Sequence, residues 1–449
     1  MFDLSFAATH RFRPFALVAP GFAAVEEGAP AVGDGGDSEA LVRADAGPVA
    51  PYAAVEVDVA PVELSGRVAV GLATADDQHV LVTWTPRSSR LAISVRRRGR
   101  TRVVRRRKVA LPASFRLAFV LNEQQVTGLV DTGDGWRPVL TERTRVAALV
   151  DLRREDELAA HAYAWGGGTL TAVRAGLFGM VGLRDPHLVQ HADGTPYVRD
   201  GRHWLTWTCA GLGFFQQAHW SVWSVDLADP ERMRLESQLF SRRDGRVLGD
   251  HAGHLVRDGD RWLVATSSWG DFGAGSIHVR HTSTRADLLT GVHVLDTEPT
   301  ALPTPHGTWD PALLRVDDRW HVAFVESPSQ QPFRFGPALA TTTAAAWTEG
   351  LSAVPTPVMR QCEGTVLVTV GDRPWLLASD ADERCYPVLD LEGRRVGRLD
   401  APYLTNIPHP QLVADPAGGW LVLTFDGTAY ERRVLGYGGH GDVVVLHSR

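Results

Sequence analysis

Three acidic residues stand at the head of short apolar segments in the C-terminal part of this chain: Asp185 in GLRDPHLV, Asp310 in TWDPALLRV and Glu363 in QCEGTVLV. A carboxylate just ahead of a buried strand is held by that strand yet left at its open end. Three of them brought together in a partly desolvated site repel one another and drive their pKa values apart. A protonated carboxyl beside an ionised one is what cleavage of an acetal needs. One gives its proton to the leaving oxygen, and the other activates water or attacks the sugar carbon. The third can tune the acid and hold the ring of the sugar.

A repeat supplies the means of bringing them together. Five segments share an apolar strand, an Asp/Gly turn and a Trp opening a second apolar strand: RDPHLV with RDGRHWLTWT, AGHLVRDGDRWLVATS, WDPALLRVDDRWHVAFVES, CEGTVLVTVGDRPWLLAS and PHPQLVADPAGGWLVLTF. The Trp element recurs at Trp204, Trp262, Trp320, Trp375 and Trp420. Aligned on the first apolar strand, one position runs Asp185, Ala252, Asp310, Glu363, His409, with successive spacings of 67, 58, 53 and 46 residues. Four-stranded propeller blades take about 40–50 residues before insertions. The spacing therefore predicts a five-bladed β-propeller over residues 176–449, with that position forming a ring at one end of the central channel. The tryptophans are expected to pack between blades.

Ahead of the repeat, helical periodicity is nearly absent. Alternating runs such as VEVDV, RVAVGLAT, HVLVTWTP, RLAISVRRR and FRLAFVL predict antiparallel strands. The fold class is all-β: a concanavalin-like β-sandwich over residues 1–175, then the propeller. Residues 26–48 are expected to be a long loop. The segment RRRGRTRVVRRRK, residues 96–108, is expected to be a hairpin with solvated arginines; it has no interleaved aromatic for stacking on bases.

The three carboxylate motifs, in this order and spacing, resemble the five-bladed propeller glycosidases of glycoside hydrolase family 43 and, more distantly, families 32 and 68. The resemblance implies Asp185 as base, Asp310 as auxiliary residue that modulates the acid's pKa, and Glu363 as general acid. His409, in NIPHPQLV, matches a histidine that some family 43 members carry near a central ion, so a structural Ca²⁺ or other ion on the propeller axis at His409 is implied; no catalytic cofactor is required. His409 also favours family 43, hence an inverting enzyme acting on a furanoside or short oligosaccharide. The chain departs from the pattern in three places. Gly364 is followed by Thr365 where a proline is usual, LGDHAGHLV places Asp250, His251 and His254 at the second repeat, and the sandwich precedes the propeller. A retaining fructosyl hydrolase or transferase, a phosphorylase, and a non-catalytic sugar-binding propeller stay open as alternatives.

Sugars offer apolar C–H faces and hydroxyls, so aromatic and polar side chains near the ring are candidate substrate contacts. Those singled out are Arg184, His219, Trp220, His251, Trp269, Trp309 and Arg334. The formal net charge of −6 and the 44% hydrophobic content fit a globular protein that binds neither nucleic acid nor membrane. Three scattered cysteines show no metal-binding spacing, and no apolar run is long enough to cross a bilayer. With no leader pattern after Met1, the expected location is cytoplasmic. A carbohydrate substrate is the expected partner, and oligomeric state is left open.

Overall fold

Strand-forming alternation dominates the chain, and the computed structural model is built almost wholly of antiparallel sheets. It describes residues 4–28, 41–60, 67–270, 276–430 and 439–449. Among the described residues the α-helices are two and short, Thr144–Ala147 and Glu155–Ala160. Among the described residues no helix is long and apolar enough to cross a membrane.

Two six-stranded sheets form the N-terminal sandwich. One runs, edge to edge, Arg137–Glu142, Gln125–Asp131, Phe115–Asn122, Tyr52–Val59, Leu170–Val181 and Phe15–Gly28. The other runs Leu41–Arg43, Ala162–Gly166, Val68–Ala73, His79–Thr85, Arg90–Arg97 and Arg100–Lys108. Alternate residues of both sheets, among them Val55, Val57, Val70, Val82, Ile93, Leu117 and Phe119, fill one shared core, as the two-residue side-chain period requires. The expected loop over 26–48 is shorter than that range. Strands reach Gly28 and resume at Leu41, and residues 29–40 lie outside the described set.

Five further sheets follow, each here called a blade. Their innermost strands are Leu183–Leu188, His251–Asp258, Gly307–Val316, Cys362–Val370 and Gln411–Ala414. Each pair of neighbours shares one apolar core. Leu255 and Val264 meet Trp204 and Val222 between blades 1 and 2. Leu313 and Val322 meet Val256 and Leu263 between blades 2 and 3. Leu367 meets Leu314 and Leu339 between blades 3 and 4, and Leu412 meets Val366 and Leu377 between blades 4 and 5. Leu421 and Leu423 meet Leu205 and Trp207 between blades 5 and 1, which closes the ring. No blade buries both faces alone, so closure supplies the core. All five repeat tryptophans lie in or against these inter-blade cores.

The boundary expected at residue 175 needs one correction. Phe6–Phe12 does not belong to the sandwich but pairs antiparallel with Asp442–Ser448 and is the outer strand of blade 5. The last blade is therefore completed by the start of the chain, which covers an edge that would otherwise be open to another chain. The sandwich packs on blade 1 through Tyr52, Val120, Phe178 and Phe240.

Candidate functional site

The five innermost strands carry the site at one end of the ring, and each of the first four is interrupted there by a bulge. The pairing skips from Arg184 to His187, from His251 to His254, from Trp309 to Ala312 and from Glu363 to Val366. Bulges re-aim a side chain that a regular strand would point elsewhere. The first residue inside each bulge is left-handed: Asp185 (φ 49°), Ala252 (φ 49°), Asp310 (φ 48°) and Gly364 (φ 70°).

This register corrects the sequence alignment by one residue. Leu188, Leu255, Leu313 and Leu367 are equivalent, so the residue three before each is Asp185, Ala252, Asp310 and Gly364. Glu363 does not share the ring of Asp185 and Asp310. It stands one residue earlier, in the tier of Arg184, His251 and Trp309. The blade 4 motif has one more residue between its acid and its leucine, which a match on the acidic residue alone conceals. The inner tier holds Asp185, Asp310 and His409, exposed by only 2%, 3% and 1%. Glu363, in the outer tier, is partly exposed.

His409 Nε2 lies 3.6 Å from both Asp185 Oδ1 and Asp310 Oδ2, so the structure brings these three together. Neither ring nitrogen of His409 has a hydrogen-bond partner, and burial lowers its pKa to about 4, leaving a neutral imidazole. Arg184 Nε donates to both oxygens of Asp185 at 3.0 and 2.9 Å, while its Nη1 lies 2.6 Å from His440 Nε2. Burial opposes the charge on Asp185, but the adjacent Arg184 guanidinium outweighs it and holds the carboxyl well below the usual range. Asp310 is pushed the other way by burial and by the charges of Glu363 and Asp185, against one backbone donor, Gly364 N–H at 3.0 Å. Burial, with the Asp185 charge, raises Glu363 to about 7, although Arg184 and the Trp309 indole N–H (3.2 Å) act in the opposite sense. Asp185 is thus the member that ionises most readily, while Asp310 and Glu363 hold their protons more tightly than ordinary carboxyls. The causes that raise Glu363 are burial and the Asp185 charge.

Inter-blade hydrogen bonds fix the kinked residues. Thr208 Oγ1 accepts from Ala252 N at 3.0 Å, and Ser267 Oγ accepts from Asp310 N at 3.0 Å. Thr365 Oγ1 donates to the Asp310 carbonyl.

Of the candidate contacts, Arg184, His251, Trp269 and Trp309 come to the site. His251 Nδ1 is 3.8 Å from Asp185 Oδ2, and its ring stacks on Trp269 at 5.6 Å. Trp269 in turn meets Trp309 at 5.7 Å and Phe215 edge-on at 5.2 Å. His219 and Trp220 do not reach the site. His219 is buried against Tyr52 and Phe240 at the sandwich contact. Trp220 is 1% exposed and lies over Gly253, where a Cβ would come within 2.4 Å of its ring. Both sit on the second strand pair of blade 1, whose burial on all sides the aromatic composition of residues 209–223 does not reveal. Arg334 is exposed beside the hairpin turn of blade 3. Its neighbour Phe333, 44% exposed and 6.1 Å from Trp309, is the aromatic of that turn that faces the site. Residues 271–275, which follow Trp269 closely, lie outside the described set.

Sequence reasoning also missed a buried acid behind the wall. Glu123, at the tip of a sandwich hairpin, accepts from Gly249 N at 3.0 Å, and burial raises it to about 8. Next to it Asp250 accepts from Gly270 N at 3.0 Å and pairs with Arg243. The sandwich thereby braces the two segments that carry His251 and Trp269. The signal was Asn-Glu-Gln-Gln at a hairpin tip, which looks like any polar turn until its partner is seen. Among the described residues no three His, Cys, Asp or Glu side chains are arranged to hold a metal, and His254 Nδ1 is taken by the Leu313 N–H at 3.2 Å.

The chain matches no protein-family profile and no curated protein. Solved structures similar to it include a Penicillium chrysogenum α-L-arabinanase complexed with arabinobiose, at 10% identity over 75% of this chain and 91% of that one, TM-score 0.37. A Xanthomonas citri GH43_1 enzyme complexed with xylose aligns at 15% identity over 58% and 88%, TM-score 0.40. A Caenorhabditis elegans galectin aligns at 12% identity over 33% and 94%, TM-score 0.26. At these scores the likenesses carry no argument of their own.

Proposed function

We propose that the protein is a glycoside hydrolase, inverting, acting on a furanoside or a short oligosaccharide. The observation that carries this reading is the split in protonation within one cluster: a buried, ionised Asp185 beside a partly exposed Glu363 poised near neutral pH. Glu363, in the outer tier, is the general acid that protonates the leaving oxygen. Asp185, one tier deeper, accepts the proton of the attacking water. Each of its oxygens keeps a lone pair beyond the bond from Arg184. Asp310, protonated, donates to a sugar hydroxyl, and Trp269, Trp309 and Phe333 offer faces to the sugar or the leaving group. Setting acid and base on different tiers favours the wider carboxyl separation of roughly 6.5–9.5 Å that admits water, hence inversion.

The test is hydrolysis of a panel of aryl furanosides and pyranosides, with product configuration followed by NMR. Glu363→Gln should lose several orders of magnitude in kcat on poor leaving groups and recover in part on good ones, since only the former need a proton. Asp185→Asn should stay inactive on both. Near-parental turnover in both variants on a confirmed substrate would leave the cluster structural, and retained configuration would make Asp185 a nucleophile.

A further inference from the structure

The arginine-rich hairpin is not used by this site. Its strands Arg90–Arg97 and Arg100–Lys108 pair as expected, and the second is the outer edge of its sheet. Along that edge strand only Val104 is buried. The cross-strand register fixes which way the rest point. Arg102 opposes Val95, Arg105 opposes Ile93 and Arg107 opposes Leu91, and those three apolar residues face the sandwich core. Opposed residues share a face, so Arg102, Arg105 and Arg107 project on the inner side of the sheet, beside the rim of its partner sheet. Two cavities of about 650 and 600 Å³ open along this rim. One is bounded by Arg105, Arg107 and Arg145 with Val139, the other by Arg100 and Arg102 with Leu149.

Few of these cations are balanced. Arg96 pairs with Asp77 and Arg97 with Glu157, while Arg107 and Arg145 donate to the carbonyls of Val139 and Val104. Arg98, Arg100, Arg102, Arg105 and Arg106 have no carboxylate partner among the described residues. One or two charges are enough to keep an edge strand from pairing with another chain. Five guanidiniums without a carboxylate partner line these two neighbouring cavities and repel one another, in a chain whose net charge is −6. Such an array is relieved by an extended ligand carrying repeated anions, and guanidinium takes carboxylate or sulfate through paired N–H bonds. Single-stranded nucleic acid needs stacking platforms in its groove, and the lining here is guanidinium and aliphatic.

We propose that this groove at the sandwich edge binds a linear acidic polysaccharide, through uronate carboxylates or sulfate esters. The proposal does not depend on the carboxylate cluster of the propeller. The test titrates the intact protein with end-labelled oligogalacturonate, a sulfated oligosaccharide, a neutral xylo-oligosaccharide and a single-stranded DNA of matched charge. Fluorescence anisotropy is read at about 50 and about 200 mM salt, the range over which phosphate-type contacts weaken steeply. At least one acidic glycan should bind, at least about tenfold more weakly at the higher salt, and which of the two binds identifies carboxylate or sulfate as the ligand group. The variant Arg100→Glu/Arg102→Glu/Arg105→Glu should lose about tenfold or more in affinity while keeping the parental melting curve, because none of the three has an ion-pair partner to lose. Binding of neither acidic glycan, equal binding of the neutral one, tighter binding of the DNA, or indifference to charge reversal would each overturn the proposal.

Discussion

Replacing Glu363 by Gln should stabilise the protein, and only in one range of pH. The folded state lifts this carboxyl from an ordinary 4.5 to about 7, so between those values the native protein holds a proton that the unfolded chain has released. Stability then falls as pH rises through that window. At about 1.4 kcal/mol per pH unit the loss reaches about 3 kcal/mol above pH 7 and is below about 1 kcal/mol near pH 5. Gln keeps an oxygen to accept the Trp309 N–H and cannot ionise, so it removes the loss. It also removes one of the charges that raise Asp310, an effect of the same sign. Denaturant unfolding of parent and variant at about pH 8 and about pH 5 measures the difference directly. A gain of about 2–3 kcal/mol at the higher pH that mostly disappears at the lower one is expected. A variant that is destabilised at pH 8, or whose effect does not change with pH, would refute the reasoning that Glu363 is held protonated by its surroundings.

Asp185→Asn should do the opposite, because it removes the charge that balances buried Arg184; a cost of about 3–5 kcal/mol is expected. Since the folded-state pKa of Asp185 is depressed, that cost should persist in unfolding experiments from pH 8 down to about its ordinary 3.8 rather than fade near pH 5. Gly364→Ala would place a Cβ 2.4 Å from His409 Cδ2 at a backbone φ of +70°. The left-handed backbone alone costs about 1–2 kcal/mol, and the displaced imidazole should lower kcat on any confirmed substrate. Deleting the segment through Phe12 should leave Asp442–Ser448 as an open edge, seen as a lower unfolding midpoint and aggregation in light scattering.

What the sequence disclosed followed from local pattern. Alternation and the turn-Trp element locate the blades because the inner strands of each blade are consecutive in the chain, and the apolar strands repeat since each must fill the same inter-blade slot. Pairing between distant segments leaves no such trace. Phe6–Phe12 joins Asp442–Ser448 across nearly the whole chain, and FAATHRF carries nothing that distinguishes a closing strand from a sandwich strand. Burial was the second blind spot. Asp185, expected in a site only partly desolvated, is 2% exposed and paired with Arg184. His219 and Trp220, expected as substrate contacts, stand on a strand buried on both faces. The brace from Glu123 to Gly249 likewise joins two domains and has no sequence period.

The left-handed kink is not by itself a mark of catalysis. Ala252 adopts it at φ 49° with only a methyl side chain, and Gly364 adopts it in blade 4, so the inner-strand bulge recurs in four of the five blades whatever residue occupies it. Asp tolerates this conformation better than most residues, which makes it an acceptable occupant before any chemistry is considered. What the bulge cannot account for is the company around it. Arg184 Nε holds Asp185, His409 stands between Asp185 and Asp310 with no hydrogen-bond partner on its ring, and Glu363 is shifted a tier outward, where it meets an indole N–H and partial exposure. A ring built only for stability would use the glycine or alanine that two of its blades already carry. Retaining Asp185 and Asp310 instead means burying two carboxyls whose pKa values are driven in opposite directions, at a stability cost that only a task performed by those carboxyls offsets.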